Sequence, residues 1–279
     1  MLVELAIADA YGAGFEFRNG FYIRTFNRLD RYHRPALSLA KPGRDSDDTQ
    51  MTLAITEALL SGELWSPDLI ADSFVRVFKR DPRGGYAPRF GRFLQRVTDG
   101  DDFLARIRPQ SDRSGAAMRA GPIGLIANVE ELLWCAELQA RVTHDTPGGV
   151  SSSMAAALMV HYFFYKIGAP DRLAEFVAEY VPGPWRMPWK GRVSMNGVDC
   201  VSAALTAVSR HRSLAELLRG CVDLGGDVDT VATIALASAS WSVDYDNDIP
   251  TVLIEGLESG PFGIDYLKEL DQQIMTLVW

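Results

Sequence analysis

Gly225-Gly226-Asp227-Val228-Asp229-Thr230-Val231-Ala232-Thr233-Ile234-Ala235-Leu236-Ala237-Ser238-Ala239-Ser240-Trp241-Ser242-Val243 decides the fold class. From Thr230 to Val243 the side chains are mostly Ala, Ser and Thr, so the stretch reads as a helix that other helices can approach closely. The rest of the chain supplies those partners. Leu2–Ala10 is a short apolar helix running into the turn Tyr11-Gly12-Ala13-Gly14. Thr49–Leu60 places Met51, Leu53, Ile55 and Leu59–Leu60 at helical spacing and stops at Gly62. Pro67–Phe78 follows Ser66, a good N-cap, with proline at the first helical position. Val129–Arg141, Ser151–Ile167, Asp171–Tyr180, Asp199–Arg210, Ser213–Leu224 and Ile264–Val278 also read as helices.

No region alternates apolar and polar residues between hairpin turns. Phe21–Thr25 reads as a short strand at most, and one strand makes no sheet. Irregular, polar or Gly/Pro-rich segments fall at Arg18–Asp45, Asp81–Arg92, Asp99–Ser114, Pro182–Gly197 and Asp244–Pro250. Loops of that length in a helical domain are more often functional than idle. With no repeat and no dividing linker, residues 1–279 are expected to form a single all-α, multi-helix domain.

Composition narrows the function. Of the 279 residues 47% are hydrophobic and 23% charged, as in an ordinary packed protein. The formal net charge of −8 repels phosphate backbones and argues against direct grip on nucleic acid unless a local basic patch exists. It suits a protein that gathers divalent cations. Three cysteines, Cys135, Cys200 and Cys221, without CxxC spacing, read as buried free thiols in a reducing compartment. The start MLVELAIADAYG lacks the basic region of a signal peptide, and Met154–Tyr165 is too short to cross a bilayer. These features predict a cytoplasmic protein with no membrane partner, and a monomer.

Two clusters carry the chemistry. Asp45-Ser46-Asp47-Asp48-Thr49 and Gly225-Gly226-Asp227-Val228-Asp229-Thr230 each stand directly before an apolar helix. Asp, Ser and Thr are favoured N-caps, and first-turn carboxylates suit the helix dipole, so one such start alone is explained by capping. A cap needs one carboxylate, however, and each cluster offers several. The Gly-Gly pair lets the backbone turn tightly and present Asp227 and Asp229 together. Gathered carboxylates repel unless a cation neutralises them, and an all-oxygen donor set suits Mg²⁺ or Mn²⁺ over zinc. If the two helix starts face one another, they hold two metals at the usual separation of about 3.5–4 Å.

Five motifs in order resemble those of the ADP-ribosylglycohydrolases, the family that includes the dinitrogenase-reductase-activating glycohydrolase and the vertebrate ADP-ribosylhydrolases. Ala8-Asp9-Ala10-Tyr11-Gly12-Ala13-Gly14-Phe15-Glu16 resembles GDAxGxxxE, and Ser46-Asp47-Asp48-Thr49-Gln50-Met51 resembles [TS]DDTxM. Gly115 to Leu125 resembles GAAMRxxPIGL, Thr143-His144 with Pro147 resembles TH-x-x-P, and Gly225 to Thr230 resembles GGDxDT. The resemblance covers nearly the whole chain and implies an all-helical, binuclear Mg²⁺ or Mn²⁺ hydrolase that frees ADP-ribose from a modified protein or small molecule.

By the same resemblance Ser46, Asp47, Asp48, Asp227, Asp229 and Thr230 are the metal ligands, with Asp229 bridging. Glu16 gates the cleft. Glu16, Asp47 and Asp229 are the catalytic set, moving the proton of the water that attacks C1 of the distal ribose. Ser111, Asp112, Ser114, Gly115, Met118 and His144 bind substrate, the turn Ser111–Gly115 through its backbone N–H groups on the diphosphate. Ala8 replaces the family's opening Gly, Val228 a small or polar residue, and Ser114 an Asn that many members have, which bears on the ribose contacts. Arg119 is expected to pair with a buried carboxylate near the site. His161 reads as a satisfied core residue, and Trp185 and Trp189 either cover the adenine or pack their own loop. The same fold can also hold ADP-ribose without turnover, which makes a non-catalytic binding protein the rival expectation. Two-metal phosphoester hydrolysis and a purely structural role are more distant rivals.

Overall fold

Small residues at every turn let one helix sit with neighbours on all sides, and the computed structural model shows that helix at the centre. The structure describes residues 1–35 and 37–277. Within them the chain runs α1 (Leu2–Gly12), α2 (Gly20–Phe26), α3 (Asp47–Leu60), α4 (Pro67–Arg80), α5 (Pro88–Arg96), α6 (Gly100–Arg106), α7 (Gly115–Met118) and α8 (Val129–Arg141). It continues α9 (Pro147–Phe164), α10 (Leu173–Tyr180), α11 (Gly197–Arg210), α12 (Leu214–Leu224), α13 (Val228–Ala239), α14 (Thr251–Gly256) and α15 (Ile264–Leu277). Two 3₁₀ turns, Gly121–Leu125 and Pro170–Arg172, lie between them. No strand occurs among the described residues, so the chain is an all-helical single domain. None of the helices is long and apolar enough to cross a membrane.

Every residue of α13 is buried, and α1, α9, α11 and α12 pack around it. Ala, Ser and Thr make this possible, because their side chains do not hold neighbouring backbones apart. The buried hydroxyls of Ser238 and, in the neighbouring α11, Thr206 turn back to carbonyls within their own helices, which satisfies them without a partner helix.

Several expected boundaries move for local reasons. Phe21–Thr25 is helix, not strand: Asn19 caps α2 by accepting from the Tyr22 N–H at 2.9 Å. Two segments expected to be irregular contain α5 and α6, started by Pro88 at the first helical position and by Asp99 capping the Asp102 N–H at 2.9 Å. α9 begins at Pro147 rather than Ser151, since Thr146 accepts from the Gly149 N–H at 3.0 Å. α13 ends at Ala239, not Val243, and α14 was not expected at all. The expected helix end at Val278 lies outside the described residues.

Candidate metal and substrate site

Neither acidic helix start caps its own helix. Ser46 and Asp227 hold the N-cap positions of α3 and α13, yet neither side chain accepts a capping hydrogen bond. The α3 start is capped in trans by Asp9 of α1. Asp9 Oδ2 accepts from the Ser46 N–H at 2.8 Å, the Thr49 N–H at 3.0 Å and the Thr49 hydroxyl at 2.6 Å. Asp9 Oδ1 accepts from the Ser46 hydroxyl at 2.6 Å. One carboxylate thus does the capping that Asp47 and Asp48 would otherwise do. Those two are left for another task, and the Ser46 oxygen keeps its lone pairs because its proton goes to Asp9.

The second cluster is brought alongside by close backbone approach. Gly225 and Gly226 have φ of +67° and +101°, and a Cβ on Gly226 would strike the Val193 backbone. Gly12, in the last turn of α1, lies directly on the Asp229 backbone, where a Cβ has no room. The turn after α1 is tied to the same place, since the Phe17 N–H donates to the Gly226 carbonyl at 2.9 Å. Carboxylate oxygens of Glu16, Asp227 and Asp229 consequently lie within 4.8 Å of one another. Gly85 closes over the other cluster, its α-carbon seated against Asp47 and Ser46.

Among the described residues no lysine, arginine or histidine forms an ion pair with Glu16, Asp47, Asp48, Asp227 or Asp229. The buried Arg83 is engaged by Asp45 and Asp81 at 2.6 Å each and by Glu258. Burial pushes Glu16 up to about 8, helped by Asp227 and Asp47. Asp47 also rises to about 8, through burial and then Asp9. Asp48 and Asp229 are pushed well above the carboxylate range by burial and by their acidic neighbours. Asp48 Oδ1 and Asp229 Oδ1 are buried without any hydrogen-bond partner. Orphaned carboxylate oxygens in a like-charged, all-oxygen cluster fit hard divalent cations.

The turn 111–115 lies beside this cluster and is pinned on both sides. Thr146 donates to the Ser111 carbonyl at 3.2 Å and to Asp112 Oδ1 at 2.5 Å. The Gly197 N–H donates to the Asp112 carbonyl at 2.9 Å. The Arg113 N–H donates to Ser111 Oγ and the Ser114 N–H to the Met195 carbonyl, whereas the Gly115 and Ala116 N–H groups, at the start of α7, have no hydrogen-bond partner among the described residues. Ser114 also reaches the second acidic cluster. Its hydroxyl donates to Asp227 Oδ2 at 3.0 Å, which orients that carboxylate. Met118 is part of the hydrophobic core.

His144 rests against Gly115, where a Cβ would stand 2.9 Å from its Cε1. Its tautomer follows from its partners. Arg119 donates to the Thr143 hydroxyl at 2.7 Å, so that hydroxyl gives its own proton to His144 Nδ1, 2.7 Å away. Nε2 then carries the remaining ring proton, facing Gly115 as a fixed donor. Burial holds the ring neutral by lowering its pKa to about 3, and Arg119 adds to this. Thr143→Val removes the relay and frees the tautomer. Affinity for ADP-ribose, the ligand that the sequence resemblance implies, is expected to fall about tenfold by calorimetry, the scale of one lost oriented hydrogen bond, with thermal stability showing whether the fold survives.

Other expectations are corrected. Arg119 pairs with no carboxylate. It donates to Gln139 Oε1 at 2.6 Å and lies over the Phe74 ring at 4.3 Å, and burial lowers its pKa to about 9. Trp185 is buried, donating to the Val181 carbonyl at 2.9 Å, and Trp189 donates to that of Gly191 at 2.9 Å, so both pack their loop. His161, by contrast, is the satisfied core residue that the sequence implies, hydrogen-bonded through Nδ1 to the Gly124 and Ile126 carbonyls. Asp9 and Cys200 were missed. A carboxylate at Asp9 amid the apolar run Leu5-Ala6-Ile7-Ala8 and Ala10 is itself a sequence signal that it has a buried partner. Cys200, whose thiol lies 3.4 Å from Asp227 Oδ2, left no sequence signal.

The chain is similar to known proteins at low identity. The model of the family described as ADP-ribosylglycohydrolase matches residues 1–278. The chain is 27% identical to the ADP-ribosyl-[dinitrogen reductase] glycohydrolase of Rhodospirillum rubrum, over 86% of this chain and 84% of the relative. To the ADP-ribosylhydrolase ARH3 of Mus musculus it is 24% identical, over 70% and 68%. A solved structure titled "ADP-ribosylglycohydrolase-related protein complex" superposes with a TM-score of 0.75 at 26% identity, covering 99% of this chain and 95% of the other.

Proposed function

The chain belongs to the ADP-ribosylglycohydrolase family, and we propose that it hydrolyses the bond between C1 of the distal ribose of ADP-ribose and a modified protein or small molecule, using two Mg²⁺ or Mn²⁺ ions. The observation that carries this reading is the pair of acidic helix starts relieved of capping duty: Asp9 caps α3 from outside, and Asp48 and Asp229 each keep a buried oxygen without a partner.

Asp47, Asp48, Asp227, Asp229 and the hydroxyls of Ser46 and Thr230 hold the ions. When bound, the ions supply Lewis-acid polarisation and lower the pKa of water. The chain's own groups do the rest. Gly115 and Ala116 N–H groups and His144 Nε2–H bind the diphosphate, fixing the distal ribose relative to the carboxylates. Glu16, whose carboxylate lies within 4.8 Å of Asp227 and Asp229 at the rim of the cluster, takes the proton of the attacking water. Charge developing on the ribose at the oxocarbenium-like transition state is stabilised by the surrounding carboxylates.

Incubating the protein with Arg-, Ser- and base-linked ADP-ribose substrates in Mg²⁺ or Mn²⁺ tests the reading. Free ADP-ribose, identified by mass and abolished by chelation, is the expected product. AMP with ribose phosphate points instead to a phosphoesterase. Substrate retained intact on the protein in both metals makes the chain a binding protein.

A further inference from the structure

An acidic chain repels polyanions except where its basic groups collect, and here they collect beside the site. Residues 17–34 hold Arg18, Arg24, Arg28, Arg31 and Arg34 against the single acid Asp30, and the loop 182–196 holds Arg186, Lys190 and Arg192 against none. The two segments touch: Arg192 donates to the Arg18 carbonyl at 3.0 Å. On the far side of Arg192, Arg113 of the substrate turn reaches the Met195 sulfur at 3.5 Å. A basic strip thus leads from the turn 111–115 to α2. Among the described residues its arginines have no carboxylate partners apart from Arg31, whose pair with adjacent Asp30 is exposed and weak.

Aromatic rings are interleaved with these arginines. Phe21 is 73% exposed and Phe26 41%, and Arg18 stacks over Tyr22 at 4.8 Å. Phe21, Arg24 and Arg28 fall at helical spacing along one side of α2 and its end. Beyond it opens a surface cavity of ≈ 400 Å³ lined by Thr25, Phe26, Arg28, Asp30, Arg31 and His33. The Phe26 and His33 rings lie 5.7 Å apart. A nucleobase fits such a space, with ring faces to stack on, the Asp30 carboxylate to accept from an exocyclic amine, and Arg28 and Arg31 for the flanking phosphates. An acidic peptide would use the arginines and leave the rings idle. His33 packs on Gly14, so the cavity backs onto the turn that carries Glu16.

The geometry points to this strip and cavity as a docking surface for single-stranded nucleic acid, which would make the target of the proposed hydrolase an ADP-ribosylated oligonucleotide. The target assignment rests on the proposed activity; the docking surface does not. An overall charge of −8 confines a polyanion to this one face.

Fluorescence anisotropy with unmodified 12-nucleotide DNA and RNA tests binding without any hydrolysis. The expected result is binding at about 50 mM salt that weakens with a log–log salt slope of about −2 to −3, for three to four phosphate contacts. Arg24→Glu with Arg28→Glu is expected to weaken it at least tenfold, and Phe21→Ala alone about tenfold, with ADP-ribose affinity and thermal stability unchanged. No binding to either strand, equal binding by the variants, or equal affinity for a poly-glutamate peptide overturns the proposal. Hydrolytic failure on protein substrates alongside normal oligonucleotide binding would count against the activity and leave the surface standing.

Discussion

Asp229→Asn is expected to abolish ADP-ribose release, by more than about 100-fold, while making the metal-free protein more stable. The loss follows from position. Asp229 shares a 4.8 Å neighbourhood with Glu16 and Asp227 and keeps one buried oxygen free, and outer-shell partners of metal ligands alone cost about 10–100-fold when removed. The gain follows from charge. Burial and the neighbouring Glu16, Asp227 and Asp48 push the Asp229 carboxyl well above its ordinary range, so the wild-type site is strained by like charges that an amide removes.

The same repulsion fixes a pH dependence. Glu16 and Asp47 titrate at about 8 in the fold against ordinary values of 4.5 and 3.8. A raised folded pKa means that the folded state holds protons the unfolded chain has released. Stability is therefore greatest below about pH 4 as far as these groups go, and is lost as pH climbs from there through 8. Thermal melts of the chelated protein should show that decline, millimolar Mn²⁺ should remove it, and Asp229→Asn should shallow it. Equal activity and an equal slope in wild type and variant would end the account of this residue.

The second large effect is expected from Gly12→Ala, a change that removes no functional group. A methyl at residue 12 would meet the Asp229 Cα, with Asp229 N and Cβ also within 3.0 Å. These are backbone and near-backbone atoms that cannot swing aside, so α1 and α13 must separate. That costs stability, on the order of the 1–3 kcal/mol typical of overpacking, and carries Asp229 away from Glu16. Mn²⁺ affinity and turnover should fall together, each at least tenfold, with a lowered melting temperature. A stable variant with normal Mn²⁺ affinity would show that the α1–α13 approach does not position the cluster.

The all-helical class was legible because small-residue and amphipathic periodicities are local properties, and α3, α4, α8 and α11 fall close to where their apolar spacing puts them. The short helices were not. α5 starts on Pro88 and α6 on the Asp99 cap, with Leu94 and Phe103 packed into the core, and such short elements carry too few periods to announce themselves. Of the site, the residue types were legible, since capping cannot explain so many adjacent oxygens. The roles of Asp9 and Ser114 were not, because each depends on which helix start a side chain meets across the fold, a long-range fact that spacing does not encode. Arg119 misled for a related reason. A buried guanidinium is ordinarily paired with a carboxylate, but here Gln139 and Thr143 satisfy it and it works through His144 instead.

Titrating the chelated protein with Mn²⁺, by calorimetry and by electron paramagnetic resonance, tests the central claim most directly. The account predicts saturation at two ions per chain with the spin–spin coupling of neighbouring sites, and loss of both the coupling and the second ion in Asp229→Asn. Saturation at a single uncoupled ion, or no binding at millimolar Mn²⁺, would contradict it.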